Sequence, residues 1–178
     1  DYSRPKELLK RSAALGRKHQ ASMSLPSIRL DSFGVELADQ ITGVRRSGLT
    51  FAPEAATPRL RSVINKFIPD EELLTMASEA WQRGWSHIKT YFMIGLPTER
   101  DEDVDAIADL CIRTLEVGKK ITPRAMVRTG VSTFVPKPFT PFQWAPQIGM
   151  AEIIHKHNLL SEKFRKHSGI KFGRHEAE

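Results

Sequence analysis

Four runs of apolar and β-branched residues, Met23 to Leu30, Leu49 to Pro53, Ser86 to Ile94 and Ala125 to Val135, alternate along the chain with stretches of helical periodicity. Successive runs start roughly 25 to 40 residues apart, which suits crossover helices and is far too long for hairpins. The pattern therefore predicts right-handed βαβ units building a parallel sheet, an α/β fold. Periodicity leaves open whether that sheet is open or part of a barrel, because both use the same unit.

The helices are marked by their ends. Ser3 and Pro5 begin a first helix carrying Leu8, Leu9 and Leu15 to about Gln20, and Val35, Leu37, Ile41 and Val44 suggest a short one before Gly48. Thr57-Pro58 pairs a capping hydroxyl with proline at the first helical position, opening a helix through Leu60, Val63 and Ile64 to Lys66. Asp70 opens another that ends at Gly84, where a left-handed C-terminal residue belongs. Asp101, Glu102 and Asp103 suit the positive end of a helix striped by Val104, Ile107, Ala108, Cys111 and Leu115, which makes Cys111 a core residue and Glu99 part of the same cap. Pro136, Pro138, Pro141 and Pro146 then forbid regular structure, and a final basic helix spans about Ala151 to His167.

Of 178 residues, 40% are hydrophobic and 27% charged, enough for one substantial core. No run approaches the roughly 18 consecutive apolar residues of a membrane helix and the N-terminal stretch is polar, so no membrane partner is expected and the cytoplasm is the default compartment. One cysteine excludes an internal disulfide framework and cannot hold zinc or an iron–sulfur centre alone. His155 and His157 are two apart on a helix, diverge, and read as exposed, so histidine spacing predicts no metal site. The net charge of +6, with a pI near 9.6, would suit a polyanion. Its surplus sits at the ends, however, in Arg4 to Lys18 and in Lys156, Lys163, Arg165, Lys166, Lys171 and Arg174, with few interleaved aromatics. Solvated basic helix faces are the plainer reading; RNA or an acidic protein docked on the C-terminal helix is the alternative.

In a parallel sheet functional residues gather after the strands, so Arg29 to Ser32, Pro53 to Thr57, Gly95 to Glu99 and Phe134 to Thr140 should share one rim. Arg29, Asp31 and Glu54 are its ionisable members, and Gly95 lets a ligand approach the backbone closely. Alternation puts Lys89, Tyr91, Met93 and Gly95 on one face of their strand and Thr90, Phe92 and Ile94 on the other. Met93 beside Gly95 can form an apolar shelf for a flat ring or simply fill core. No GxGxxG turn, phosphate-cradling lysine loop or Ser-His-Asp arrangement is present.

The run Tyr91-Phe92-Met93-Ile94-Gly95-Leu96-Pro97-Thr98-Glu99, preceded by Pro53-Glu54-Ala55-Ala56-Thr57-Pro58-Arg59-Leu60-Arg61-Ser62-Val63-Ile64-Asn65-Lys66, resembles the radical S-adenosylmethionine superfamily. Leu49 to Glu54 and Phe134 to Trp144 look closest to an uncharacterised branch that often carries a cobalamin-binding domain. The resemblance implies a partial (β/α)6 barrel, strands three to six with flanking helices. Residues 1–150 would be the C-terminal part of the barrel core, and 151–178 a basic helix and truncated tail. The missing N-terminal part of the same barrel would be its partner.

The same resemblance implies an enzyme whose intact form uses a 4Fe-4S cluster to cleave S-adenosylmethionine and start radical chemistry on an unknown substrate, and it leaves open whether cobalamin is a further cofactor. The CxxxCxxC cluster loop is not in this sequence, so the chain alone is expected to be inactive. Glu54 matches the position near the ribose hydroxyls, Met93 and Gly95 those packing on adenine, and Thr133, Phe134 and Val135 those bonding its edge. Arg29 would contact substrate or a carboxylate. The rival from a different enzyme class is an unrelated barrel lyase using Lys89 as a Schiff-base lysine. An incomplete barrel would expose the strand edge at Met23 to Leu30, an aggregation hazard.

Overall fold

The structure, a computed structural model, describes residues 5–21 and 49–174. Helix α1 (Pro5–Lys18) stands first, and Leu8 and Leu15 on it are exposed. The expected strand at Met23 to Leu30, the helix around Val35 to Val44, Arg29 and Asp31 lie outside the described residues.

From residue 49 onward the chain alternates strand and helix. Strand β1 (Leu49–Glu54) leads into α2 (Pro58–Val63) and α3 (Asp70–Gln82), then β2 (His87–Ile94). Helix α4 (Asp101–Ile121), β3 (Met126–Thr133), α5 (Met150–Phe164) and β4 (Ile170–Arg174) follow. The local signals explain the ends. Thr57 adopts extended backbone and its hydroxyl accepts from the Leu60 N–H, with Pro58 in the first turn. Gly84 closes α3 at φ +85.

The sheet has the order β1-β2-β3-β4 and every pairing is parallel. Each strand is added on the same side of the last, so right-handed crossovers carry α3, α4 and α5 to one face. On that face Phe51, Ile88, Phe92, Ile94, Val127, Val131 and Ile170 pack against Leu73, Ala77, Trp81, Val104, Ile107, Cys111, Leu115, Leu160 and Phe164. The opposite face carries Thr50, Lys89, Tyr91, Met93, Arg128, Gly130, Ser132, Lys171 and Gly173, none of them buried. Strand alternation therefore resolves with Thr90, Phe92 and Ile94 toward the helices.

The partial (β/α)6 barrel expected from the sequence is corrected here. The described strands form an open four-stranded sheet with β1 and β4 at its edges, and its fourth member, Ile170–Arg174, lies in the stretch expected to be tail. The βαβ period could not separate open from closed sheets, and five residues containing Lys171, Gly173 and Arg174 give almost no strand signal. Because β4 pairs with β3 through five register partners, residues after 150 complete the same sheet.

Candidate functional site at the carboxyl edge of the sheet

Where β1 and β2 end, three residues enter the left-handed region: Glu54 at φ 65 closes β1, and Gly95 at φ 79 and Thr98 at φ 68 lie in the turn after β2. For Glu54 and Thr98 this conformation costs on the order of 1 kcal/mol or more, so surrounding contacts must hold it. Pro53 offers no N–H to the ladder, and the register between β1 and β2 shifts between Phe51 and Glu54. The Glu54 carboxylate turns to Lys66 at the end of α2, Oε1 to Nζ 3.3 Å, and the same ammonium donates to the Ala52 carbonyl.

Beside Glu54 lies a small apolar cluster separate from the main core. Ala55, Leu60, Leu96 and Phe134 are its buried members, with Met93, Val63, Ile64, Phe142 and Ala145 packed against them. Phe134 meets Phe142 of the proline-rich segment edge-to-face, with ring centroids 6.0 Å apart. Two expected site residues, Met93 and Phe134, thus share one cluster, while Glu54 sits one strand away as the register partner of Phe92 and directs its carboxylate to Lys66. Thr133 pairs with Ile94 in register, the Phe134 N–H donates to the Ile94 carbonyl at 2.8 Å, and Val135 is exposed. Gly95 is covered from a different direction: a Cβ there would lie 2.7 Å from Ile148 Cδ1 and Cγ1.

The loops of this rim are held by charges that sequence reading passed over. Arg61, 2% exposed, donates to the carbonyls of Ala55 and Ala56 at 2.8 Å each, to the Ile68 carbonyl, and to Asp70. Asp103 accepts from the Thr57 hydroxyl, the Arg59 guanidinium and, at 2.9 Å, the Arg100 N–H. Burial pushes the Asp103 carboxyl up, but these donors outweigh it and hold its pKa below the ordinary range. Asp103 therefore caps α4, the part expected of Glu99.

Glu99 instead folds back. It accepts from the Gly95 N–H at 2.7 Å and from Lys156 of α5 at 3.1 Å, while its Oε2 is buried without a partner. Burial raises its pKa despite those donors. Lys156 also lies 3.3 Å from Glu152 and 3.8 Å from Asp101; burial opposes its charge, but the carboxylates win and raise its pKa. Lys163 pairs with Asp105 and Asp109. Two cations of the basic helix thus pair with carboxylates of this chain, Lys156 buried and Lys163 partly exposed.

The expected exposure of the two histidines is half corrected. His155 is exposed and pairs with Asp101 at 3.0 Å, whereas His157 is buried beside Phe172 with Nε2 unpartnered. Cys111 lies in the core as expected, its Sγ 3.2 Å from Thr129 Oγ1, and burial pushes the thiol up to about 11. Among the described residues no three His, Cys, Asp or Glu side chains group to hold a metal ion, and no helix there is long and apolar enough to cross a membrane.

No family model matches the sequence. Over 121 residues, 68% of this chain, it is 35% identical to an uncharacterized protein of Methanocaldococcus jannaschii. The matched stretch covers 25% of that protein, so the chain spans about a quarter of the length of the relative it matches.

Proposed function

We propose that this chain supplies an adenosine-binding wall of a radical S-adenosylmethionine enzyme. The observation that carries the reading is the Glu54 carboxylate held by Lys66 beside the apolar cluster of Ala55, Met93, Leu96 and Phe134. A carboxylate next to an apolar shelf suits a ribose diol joined to a purine, because the two oxygens accept both hydroxyls while the shelf takes the ring. The motif resemblance around Glu54 and Met93 to Glu99 adds the choice of cofactor. Bound S-adenosylmethionine would supply a 5′-deoxyadenosyl radical on reduction.

The iron–sulfur cluster does not fit the residues in hand. Cys111 is fully buried and bonded to threonines on β2 and β3, so no step through a cluster is assigned to this chain. Its own residues bind and orient: Glu54 holds the sugar, Met93 and Phe134 exclude water from the ring.

The test is calorimetric titration of this chain with S-adenosylhomocysteine, a non-reactive analogue. Saturable binding is expected, competed by adenosine, and weakened about tenfold or more by Glu54→Gln through the loss of charged hydrogen bonds. No saturable binding, or equal affinity in a folded Glu54→Gln variant, would overturn the proposal.

A further inference from the structure

We infer that the face of the sheet opposite α3, α4 and α5 contains a second site, for a small molecule carrying a diphosphate group. Lys89, Arg128 and Lys171 are register partners on β2, β3 and β4. Their side chains leave the same face side by side, at the interstrand spacing of about 4.8 Å. Like charges directly opposite destabilise a sheet, and none of the three side chains has a hydrogen bond or ion pair among the described residues. Three cations in one rung are a cost to folding that a bound anion removes.

The surroundings form an open, shallow depression around the cations. Two residues farther along each strand, Tyr91, Gly130 and Gly173 form the next rung. A Cβ at Gly130 would lie 2.9 Å from Tyr91 Cδ1 and Cε1, so the ring lies across that glycine. Gly173 leaves bare backbone beside the cations, next to the glycine that the Tyr91 ring covers. Together these residues line an open cavity of about 400 Å³, within the volume range of small-molecule sites.

The charge pattern selects the ligand class. The rung spans two interstrand spacings, about 9.6 Å between its outer Cα atoms, more than one phosphate bridges. In a terminal diphosphate the inner phosphoryl group carries one negative charge and the outer one up to about two near neutral pH, so together they balance three cations. Arg128, at the centre, can fork onto two oxygens while the flanking lysines act as point charges. Lys89 precedes Met93 by four residues, about 13 Å along the strand. The site is thus separate from the carboxyl edge and stands independently of the adenosine reading.

Titration with inorganic pyrophosphate, with orthophosphate in parallel, tests this. One saturable site is expected, at least about tenfold tighter for pyrophosphate and weakened by added salt. Arg128→Gln and Lys171→Gln should each lower affinity about tenfold, whereas Lys120→Gln, on α4, should not change it. In thermal melts pyrophosphate should raise the Tm of the native chain. The Arg128→Gln/Lys171→Gln double variant should melt higher without ligand, since repulsion is relieved, and should not respond to pyrophosphate. Lys171→Gln, at an exposed edge-strand position, tests the rung with least disturbance of packing. Equal affinity for the two anions, or a double variant that binds like the native chain, would overturn the inference.

Discussion

Lys156 on α5 and Glu99 before α4 meet at 3.1 Å with side chains 3% and 2% exposed. The pair ties the fifth helix to the turn that positions Gly95. Removing one partner of such a pair leaves an uncompensated buried charge and costs about 3–5 kcal/mol, whereas replacing both by apolar groups is close to neutral. Lys156→Met should therefore lower stability in urea denaturation by that amount, and Lys156→Met/Glu99→Leu should recover most of it. The raised pKa of Lys156 adds a sign at high pH: its contribution is complete below its ordinary value of about 10.5 and is lost as pH rises through the higher folded value.

Burial, aided by Arg174, lowers the pKa of His157. The folded state resists protonation that the unfolded chain accepts. Stability is therefore fully present above about 6.5 and falls as pH drops from there toward the lower folded value. Melting temperatures between neutral pH and pH about 5 should decline in the native chain more than in His157→Leu. Equal slopes would remove His157 as the cause.

Asp103 gathers the Thr57 hydroxyl, Arg59 and the first-turn N–H of Arg100. Asp103→Ala should destabilise by about 1–3 kcal/mol through loss of the cap and the charged hydrogen bonds. Hydrogen exchange should quicken first at the amides that open α4. Because its folded pKa is depressed, its contribution is present above about 3.9 and disappears as pH falls through the folded value.

The Cys111 thiol, pushed up to about 11 and enclosed between β2, β3 and α4, should not react with a disulfide reagent at pH about 8, well below that value. Reaction should appear only with global unfolding. Fast labelling of the native chain would contradict its placement.

Much of the scaffold was legible because its signals are local. Thr57-Pro58, Gly84 and the acidic Asp101 to Asp103 each act within one helical turn, and each ends or begins a helix where expected. What escaped depends on contacts distant in sequence. Lys156 looks like any solvated lysine until α4 and α5 pack and bring Glu99 to it. His157 faces inward only because β4 places Phe172 behind it, and β4 itself is too short and too charged to announce itself. Glu99 was misassigned because several carboxylates compete for one helix start, and only the fold decides that Asp103 takes it. At the rim, Met93 and Phe134 pack in one apolar cluster, whereas the Arg61 bracing of the Ala55-Ala56 turn leaves no trace in a helix pattern that tolerates arginine.

A sheet whose described strands follow chain order, with the described helices α3, α4 and α5 packed on one side, has two faces under unequal selection. On the packed side, each side chain is fitted to neighbours on α3, α4 or α5, and a lost methylene is felt throughout the core. The other side is free of that constraint. Residues such as Lys89, Tyr91, Arg128 and Lys171 can be exchanged among descendants of one ancestor without disturbing the fold, so relatives that share this helix-side core can diverge in what they bind.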